Sequence, residues 1–491
     1  MKAILILSLL LSGSLSAQTV SLDNSFGTNG FTRVSNTFRI HKTLLTQDGK
    51  IVSIGYSQNP PTYIESAALT KHDLTGNLDL NFGINGVLQF QLNYSCQAFN
   101  GVLQEDGKII LIGTTYLNEE GYDMGDEHVF ISRLKSNGEL DSSFATNGSL
   151  ISGNFDSFNT VFVNPDHSIL ISGNTYNAAM LYKLNEYGTP DNTFGTNGLI
   201  ELIENGYNFN NSSAILLADG NILSVGSEGY TQISCQKLTL DGELITSFGQ
   251  NGHLIYDINT GSPWESISQA IERADGKIAL LGVSDDNFIS LINPDGTIDS
   301  AFGTNGIVEF GYHFNHRCML VQEDNKIIAG GSAVSGPNDL DIYFYRFTAN
   351  GQLDPMFCSD GSCVLEITGY VDDMYSLEFL DPGHLLIAGT GWNTGYYVFL
   401  LASLDISQTL SAEELAAANF SIYPNPTENT LFIEGVSPQN VRILNSLGQL
   451  VAELPYDKES GVSLEKLSSG SYLVSFEDEN GITGSEQFIK Y

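Results

Sequence analysis

The stretch LDNSFGTNGF at residues 22–31 is the first of seven copies of one motif, and this repetition decides the fold. The later copies are LDLNFGING (78–86), LDSSFATNG (140–148), PDNTFGTNG (190–198), LITSFGQNG (244–252), IDSAFGTNG (298–306) and LDPMFCSDG (353–361). Their phenylalanines lie 50 to 62 residues apart, at Phe26, Phe82, Phe144, Phe194, Phe248, Phe302 and Phe357. A period of this size is typical of repeat proteins, so the motif predicts architecture before it predicts a site.

Each repeat has a second landmark, a tight turn followed by an apolar run that ends in glycine. Examples are QDGKIVSIG (47–55), EDGKIILIG (105–113) and ADGKIALLG (274–282). Asp-Gly between two apolar runs favours a hairpin, and a run that is apolar on both faces favours a strand buried between sheets. A further strand then runs into the next copy of the opening motif, and five of these strands carry a base: Lys71, Arg133, Lys183, Lys237 and Arg346. The repeat therefore predicts four antiparallel strands.

Seven such units predict an all-β chain whose residues 18–406 form a seven-bladed β-propeller of four-stranded repeats. An open solenoid of hairpins is the alternative topology. The last unit ends in VFLLASLDI (398–406), which we expect to supply its own fourth strand. In the motif, we expect the aspartate to brace the turn and the phenylalanine to pack between blades.

The period stops after Ile406, and a different pattern follows. Residues 407–418 lack the β pattern and predict a linker. Short alternating strands broken by glycine and proline then predict a small β-sandwich over residues 419–491. An ordinary carbohydrate-binding sandwich is one interpretation of this domain.

Two resemblances extend these predictions. The LDxxFGxxG turn followed by DGKIxxxG resembles the delta-60 repeat, which implies a propeller-like fold and no common chemistry. The tail resembles the type A C-terminal sorting domain of the bacterial type IX secretion system. The residues that carry this likeness are Tyr423, Pro424, Asn425, Pro426, Gly448, Gly470 and Lys490. The resemblance implies passage across the outer membrane of a Gram-negative bacterium, removal of the tail, and either release or surface attachment, with the type IX machinery as partner.

Charge and the N-terminus agree with export. The chain has 57 acidic and 20 basic residues, a formal charge of -37, which disfavours nucleic acid and anionic lipid as partners. Lys2, the apolar run behind it and a small-residue end predict a signal peptide over residues 1–17, cleaved between Ala17 and Gln18. We find no stretch of membrane-spanning length and expect a secreted or surface protein.

The sequence offers little catalytic chemistry. It has no nucleophile-elbow, zinc-protease, P-loop or EF-hand motif, which favours a non-enzymatic role and predicts no cofactor and no metal. Weak calcium binding by acidic turns is an alternative. Cys358 and Cys363 close a short loop in the last motif and predict a local disulfide, because exported proteins meet an oxidising compartment.

Strand parity predicts where a site would lie. The repeated turns share one face of the propeller, and the connections of irregular length share the other. The irregular face should carry the aromatic residues Trp264, Trp392, Tyr230, Tyr312 and Tyr396. Aromatic rings on exposed loops favour a binding or adhesion module for a glycan or a protein, although the same rings could simply pack the loops down. The alternatives are a glycan lyase or hydrolase, with acids of this face as general acid and base, and a purely structural surface protein.

Overall fold

The computed structural model describes residues 20–34, 38–59, 64–117, 127–175, 178–202, 209–228, 232–258, 265–311, 314, 317–336, 339–358, 360–365, 367, 372–393, 396–406, 421–434, 438–444, 450–478 and 483–491. These residues form β-strands and no helix, so the all-β prediction is confirmed. Consequently none of the described segments is a helix long and apolar enough to cross a membrane. The chain divides into two compact units, Ala17–Gln408 and Thr409–Tyr491.

Six sheets of the larger unit share one plan, in which four consecutive strands pair antiparallel with their neighbours. The first three sheets contain β3 (Phe38–Leu45), β4 (Lys50–Asn59), β5 (Ile64–Asp73) and β6 (Val87–Phe90); β7 (Ser95–Leu103), β8 (Ile109–Tyr116), β9 (Glu127–Leu134) and β10 (Ser149–Ser152); β11 (Ser157–Val163), β12 (Ile169–Asn174), β13 (Ala179–Leu184) and β14 (Leu199–Leu202). The next three contain β15 (Phe209–Leu216), β16 (Ile222–Glu228), β17 (Gln232–Leu238) and β18 (His253–Tyr256); β19 (Ser266–Glu272), β20 (Ile278–Val283), β21 (Asn287–Ile292) and β22 (Ile307–Phe310); β23 (Arg317–Val321), β24 (Ile327–Gly336), β25 (Asp339–Phe347) and β26 (Ser362–Leu365).

The seventh sheet joins the two ends of this unit. It contains β27 (Asp372–Asp381), β28 (His384–Asn393) and β29 (Tyr396–Asp405), and its outer edge is supplied by β1 (Ser21–Leu22) and β2 (Phe31–Val34). The expectation that the last repeat supplies its own fourth strand is therefore wrong. The run at residues 398–406 is the third strand, and the N-terminal copy of the motif provides the fourth.

The sheets are arranged in a closed ring. The first strands of consecutive sheets, which we call the inner strands, touch one another in the order β3, β7, β11, β15, β19, β23 and β27, and β27 returns to β3. At this return, the Lys42 ammonium lies 2.5 Å from the Glu378 carboxylate, and the Thr43 amide donates to the Ser376 hydroxyl at 3.0 Å. The ring of inner strands defines the axis of a β-propeller, which confirms the predicted fold class and excludes the open solenoid.

The phenylalanine of each motif packs at the contact between two neighbouring sheets, which we call a seam. All seven of these side chains are at most 2 % exposed. Phe144 lies against the turn of the next sheet, where a Cβ on Gly188 would come within 2.6 Å of its ring. The backbone is tied at the same place, because the amide of Ala145 donates to the carbonyl of Tyr187 at 2.7 Å. A side chain larger than glycine would open this contact.

The motif aspartate braces its own turn, as the sequence predicts. The Asp141 carboxylate accepts from the amide of Ser143 at 3.2 Å and from its hydroxyl at 2.7 Å. It also accepts from the guanidinium of Arg133 at 2.8 Å, and Arg133 lies 4.8 Å over the ring of Phe144. Arg346, Asp354 and Phe357 repeat this arrangement in the sixth sheet. The repeated base, acid and ring are therefore scaffold.

The smaller unit has two sheets around one core. A three-stranded sheet contains β30 (Ser421–Tyr423), β31 (Thr430–Glu434) and β34 (Val462–Ser463), and a four-stranded sheet contains β32 (Pro438–Leu444), β33 (Leu450–Pro455), β35 (Gly470–Asp478) and β36 (Thr483–Lys490). Side chains of both sheets, among them Leu431, Ile433, Val441 and Phe488, are buried together. This is the predicted small β-sandwich.

The seam predicts a difference between two glycine substitutions. Gly188 and Gly220 both have a positive φ, 79° and 81°, but a Cβ at Gly220 would meet nothing within 4 Å. We expect G188A to lower the free energy of unfolding by about 1–3 kcal/mol more than G220A, because only the first overpacks a neighbour. Chemical denaturation of both variants measures this, and equal losses would show that Phe144 is not a tight seam.

A buried histidine predicts a loss of stability in acid. His72 is fully buried, its ring stacks on Phe399 of the seventh sheet at 5.5 Å, and burial lowers its pKa to about 4. The unfolded chain therefore takes up this proton near pH 6.5 while the folded chain does so only near pH 4. Stability is complete above pH 6.5 and falls by about 3 kcal/mol on the way to pH 4. We expect H72Q to lose this part of the pH dependence in denaturation curves, whereas H167N, in an exposed turn, should keep it.

Candidate functional site

The inner strands that surround the ring axis share a β-bulge. In six of the seven sheets the pairing of the inner strand with its neighbour shifts by one residue at the same place: Ile40/Lys42, Ala98/Asn100, Phe158/Thr160, Asn211/Ser213, Ile267/Gln269 and Met374/Ser376. In these six sheets the glycine that ends the apolar run faces the bulge. A Cβ on Gly55 would lie 1.8 Å from the carbonyl oxygen of Arg39, and one on Gly389 would lie 1.9 Å from that of Asp373. Glycine is therefore required for the bulge.

In these six sheets the bulge leaves one extra residue of the inner strand at a common height on the axis. These bulge positions are His41, Phe99, Asn159, Ser212, Ser268 and Tyr375; Arg317 of the sixth sheet stands at the same distance from its tight turn but pairs with Gly331 and is not a bulge residue. For Ser212 and Arg317 only the backbone is described. Three consecutive sheets carry a ring system at the bulge position, and the next three sheets around the axis carry Asn159, Ser212 and Ser268, which are amide and hydroxyl residues. The height is thus divided into an aromatic half and a hydrogen-bonding half.

The aromatic half is a continuous arc formed by Tyr375, His41 and Phe99. The His41 ring meets Tyr375 edge-on at 5.1 Å and Phe99 edge-on at 5.2 Å. On its other side His41 stacks on Tyr56 at 5.6 Å, and the guanidinium of Arg39 lies 5.9 Å from the centre of the Tyr56 ring. Rings held in this way lose little conformational freedom when a ligand binds.

The phenol of Tyr375 stays neutral across physiological pH. Burial raises its pKa, and the neighbouring Asp373 carboxylate raises it further, while Arg39 opposes this shift. A neutral phenol presents an apolar face and one hydroxyl that can both donate and accept a hydrogen bond.

A cavity of about 600 Å³ lies on the axis and is lined by residues of all seven inner strands. Asn159, Ser268 and Tyr375 line it at the height of the bulge. The residues directly after the bulge form a polar belt of Lys42, Asn100, Thr160, Ser213, Gln269, Cys318 and Ser376.

The belt is tied to the walls. Thr160 accepts from the amide of Ala214 at 3.1 Å, Gln269 accepts from that of Met319 at 2.7 Å, and Lys42 pairs with Glu378. The belt is therefore rigid, and the charge of Lys42 is neutralised by Glu378.

Two residues further along the inner strands the channel wall becomes apolar. This apolar level consists of Leu44, Val102, Phe162, Ile215, Ile271 and Leu320, with Glu378 as the member from the seventh sheet. Leu44, Val102, Phe162 and Ile215 line the cavity. The channel thus changes from aromatic and polar at its entrance to aliphatic towards the face of the repeated turns.

Most of the site residues predicted from the sequence lie outside the part of the chain that the structure describes. Trp264, Tyr230 and Tyr312 lie outside the described residues. Trp392 and Tyr396 lie in β28 and β29, where Trp392 pairs with Tyr397 and Asn393 pairs with Tyr396, and their side chains are outside the described part of the chain. These five assignments remain predictions. Sequence reasoning missed Tyr375, His41 and Phe99, although the glycine after each apolar run was the signal for them.

One carboxyl group of the irregular side has an unusual environment. Glu265 is 2 % exposed, and it accepts a hydrogen bond from the amide of Ile258 at 3.1 Å. Burial, together with the hydrogen-bonded carboxyl group of Asp257, raises the pKa of Glu265 to about 7. Glycosidases hold their two carboxyl groups about 5 Å or more apart around the substrate. A directly hydrogen-bonded pair lacks this gap, so these two residues do not supply the geometry of a hydrolase.

The other predicted residues have structural surroundings. Cys358 and Cys363 are joined in a disulfide with their Cα atoms 5.6 Å apart. In the smaller unit, the Tyr423–Pro426 turn is linked to the last strand, because Asn425 accepts from the amide of Ile489 at 3.1 Å. Lys490 is buried and its ammonium group lies 3.5 Å from the side-chain oxygen of Asn429. Gly470 begins β35, whereas Gly448, Ala17 and Gln18 lie outside the described residues.

Two family models match parts of the chain. The DUF5122 β-propeller, a domain of unknown function, matches residues 104–144, 273–302 and 322–357, and the secretion system C-terminal sorting domain matches residues 421–491. Both predicted resemblances are therefore found: segments of a DUF5122 β-propeller, consistent with the delta-60 repeat, and a C-terminal sorting domain of the type IX system. Such a tail marks a secreted or outer-surface protein of a Gram-negative Bacteroidetes and implies contact with the type IX machinery.

Comparison with other proteins adds no function. No curated protein matches the sequence. Among solved structures, PorZ of Porphyromonas gingivalis, described as an essential surface component of the type IX system, is 13% identical with a TM-score of 0.37, over 95% of this chain and 60% of that one. YCF48 from Cyanidioschyzon merolae is 11% identical with a TM-score of 0.43, over 76% of this chain and 98% of that one. This chain thus spans about 60% of the PorZ chain, and likenesses of this degree carry no functional argument.

Glu265 gives a prediction opposite in sign to that of His72. Because its pKa is higher in the folded state than the ordinary 4.5, its stabilising effect is complete below pH 4.5 and is lost as pH rises through about 7. We expect E265Q, which resembles the protonated side chain, to gain stability relative to the wild type between pH 5 and pH 8. Denaturation at the two pH values measures this gain. The same exchange at Glu105, an exposed turn residue, should show none, and an equal gain there would contradict the assignment.

Proposed function

We propose that this exported propeller is an extracellular binding module for neutral glycans, and that it binds them at the entrance of its axial channel. The observation that carries the proposal is the division of the bulge height into the aromatic arc and a half of amide and hydroxyl residues. A sugar ring has the same division, with an apolar face of C–H groups and a rim of hydroxyls. Aromatic rings bind the first, and amides and hydroxyls bind the second.

Position and rigidity support the same proposal. The inner strands bring the arc towards the face whose connections vary in length and sequence, where binding sites on rigid scaffolds are usually found. The seams and the closed ring hold the arc without help from a ligand. Export by the sorting domain delivers this face to the outside of the cell, where polysaccharides are abundant potential ligands.

Two alternatives remain weaker on physical grounds. A nucleic acid or a strongly acidic polymer would be repelled by the charge of -37. A hydrolase needs two suitably separated carboxyl groups, and Glu265 with Asp257 does not provide them. A protein ligand would use the aromatic arc as well, and it is an outcome of the test below rather than a second proposal.

The test is a glycan array probed with the full-length mature protein. We expect neutral glycans to bind, and we expect Y375L and F99L to weaken the hits by about tenfold, because leucine keeps apolar volume but removes the stacking face. Y187A is the matched control, since Tyr187 is an exposed aromatic residue of the opposite face and its loss should change nothing.

Thermal melting of the three variants separates binding from folding. Absence of any glycan hit, or hits that fall equally in Y187A, would overturn the proposal. Hits that depend on Trp264 or Trp392 but not on Tyr375 would move the site outward to the irregular loops.

A further inference from the structure

We infer that the channel takes the end of a glycan chain, with one neutral terminal sugar inserted along the axis, rather than the middle of a polymer. This inference rests on the proposed function and adds the mode of recognition. It follows from three features of the channel: its walls, its apolar level and its charge.

The walls leave only axial access. Residues of all seven inner strands line the cavity, and the neighbouring inner strands touch one another around the whole ring. A polymer lying across the face would reach the rims of the rings but could not pass sideways through these walls. Any unit that descends to the height of Asn159, Ser268 and Tyr375 must therefore enter along the axis.

The apolar level prevents a sugar chain from continuing through the channel. Below the polar belt, Leu44, Val102, Phe162 and Ile215 line the cavity and offer no side-chain hydrogen bonds, and the acidic member of this level, Glu378, is paired with Lys42. A hydroxyl group that loses water there without gaining a partner costs about 1–3 kcal/mol. A chain of sugars carries several hydroxyls per unit, so a threaded polymer is strongly disfavoured and the inserted unit must be the last one.

The size and the charge of the cavity further limit which ligands can bind. Its volume of about 600 Å³ lies within the range of pockets that enclose a small organic ligand, which is about 300–1,000 Å³, so it suits one or two sugar units. The described charged side chains at the belt and the entrance, two basic and two acidic, are balanced in sign. Lys42 is paired with Glu378, and Arg39 at the entrance is opposed by Asp373, which lies beside Tyr375. These described side chains supply no unpaired positive charge for an acidic sugar. We therefore infer that the bound terminal sugar is neutral.

Matched linear and cyclic glycans test the inference. We would titrate the full-length mature protein with maltohexaose and α-cyclodextrin, which share one linkage and differ in having chain ends, and with linear and cyclic β-glucans in the same way. We expect a linear member to bind at least about tenfold more tightly than its cyclic partner. We also expect at least one of glucose, galactose, mannose or N-acetylglucosamine to displace it, whereas glucuronic acid should not.

A channel-filling variant gives an independent readout. N159W places a large ring on the wall of the cavity and should abolish binding of the linear glycan, while a control exchange on the opposite face, Y187W, should not. The monosaccharide competition uses the unaltered protein, so it still decides the matter if N159W fails to fold.

The outcomes separate the two proposals. Equal binding of linear and cyclic glycans that is lost in Y375L would overturn end-on recognition and leave the glycan-binding function standing. Preference for glucuronic acid would overturn the neutral specificity. Failure of every glycan on the array and in titration would overturn both.

Discussion

The structure depends on the pairing of β2 with β29, which closes the ring. Residues 31–34 pair with residues 399–402, so two segments more than 360 residues apart in sequence complete one sheet. Without this pairing the outer edge of β29 would keep only the two residues of β1, and the ring would be held at this point mainly by contacts between the seventh and first sheets, such as that of β27 with β3 and of Phe399 with His72. Closure also creates the axial cavity, since its wall needs all seven inner strands. The candidate site therefore exists only in the closed ring.

Most of the scaffold could be predicted from the sequence because the same strand and turn pattern occurs seven times. The motif phenylalanine and aspartate are found as predicted, with Phe144 in a seam and Asp141 bracing its turn. The prediction is wrong for the sheet that receives the N-terminal strand, since the run at 398–406 is its third strand and not its fourth. The signal was present: the chain shows a complete LDxxFGxNG motif before its first tight turn, and this motif always precedes the last strand of a sheet.

The candidate site was harder to predict for a different physical reason. Tyr375, His41 and Phe99 lie inside strands, where a period of two assigns each residue to one face. The bulge adds one residue and breaks this period, so the faces of the residues beyond it are exchanged. In the sequence, only the glycine opposite the bulge indicates that the faces are exchanged. Gly55 and Gly389 look like ordinary ends of apolar runs. The sequence instead favours Trp264 and Trp392, which it predicts on connections of irregular length, although Trp392 lies in β28.

The repeated bulge has a consequence for how such a protein can change. The seams, the braced turns and the bulge glycines fix the backbone, while the residue at the bulge has no partner in the strand pairing. Six repeats therefore each contribute one position on the axis that can be exchanged without changing the strand pairing. In this protein these residues are His41, Phe99, Asn159, Ser212, Ser268 and Tyr375. Duplication followed by substitution at these positions would give paralogues with the same fold and different specificities, although His41, Phe99 and Tyr375 would have to change together because their rings are in contact.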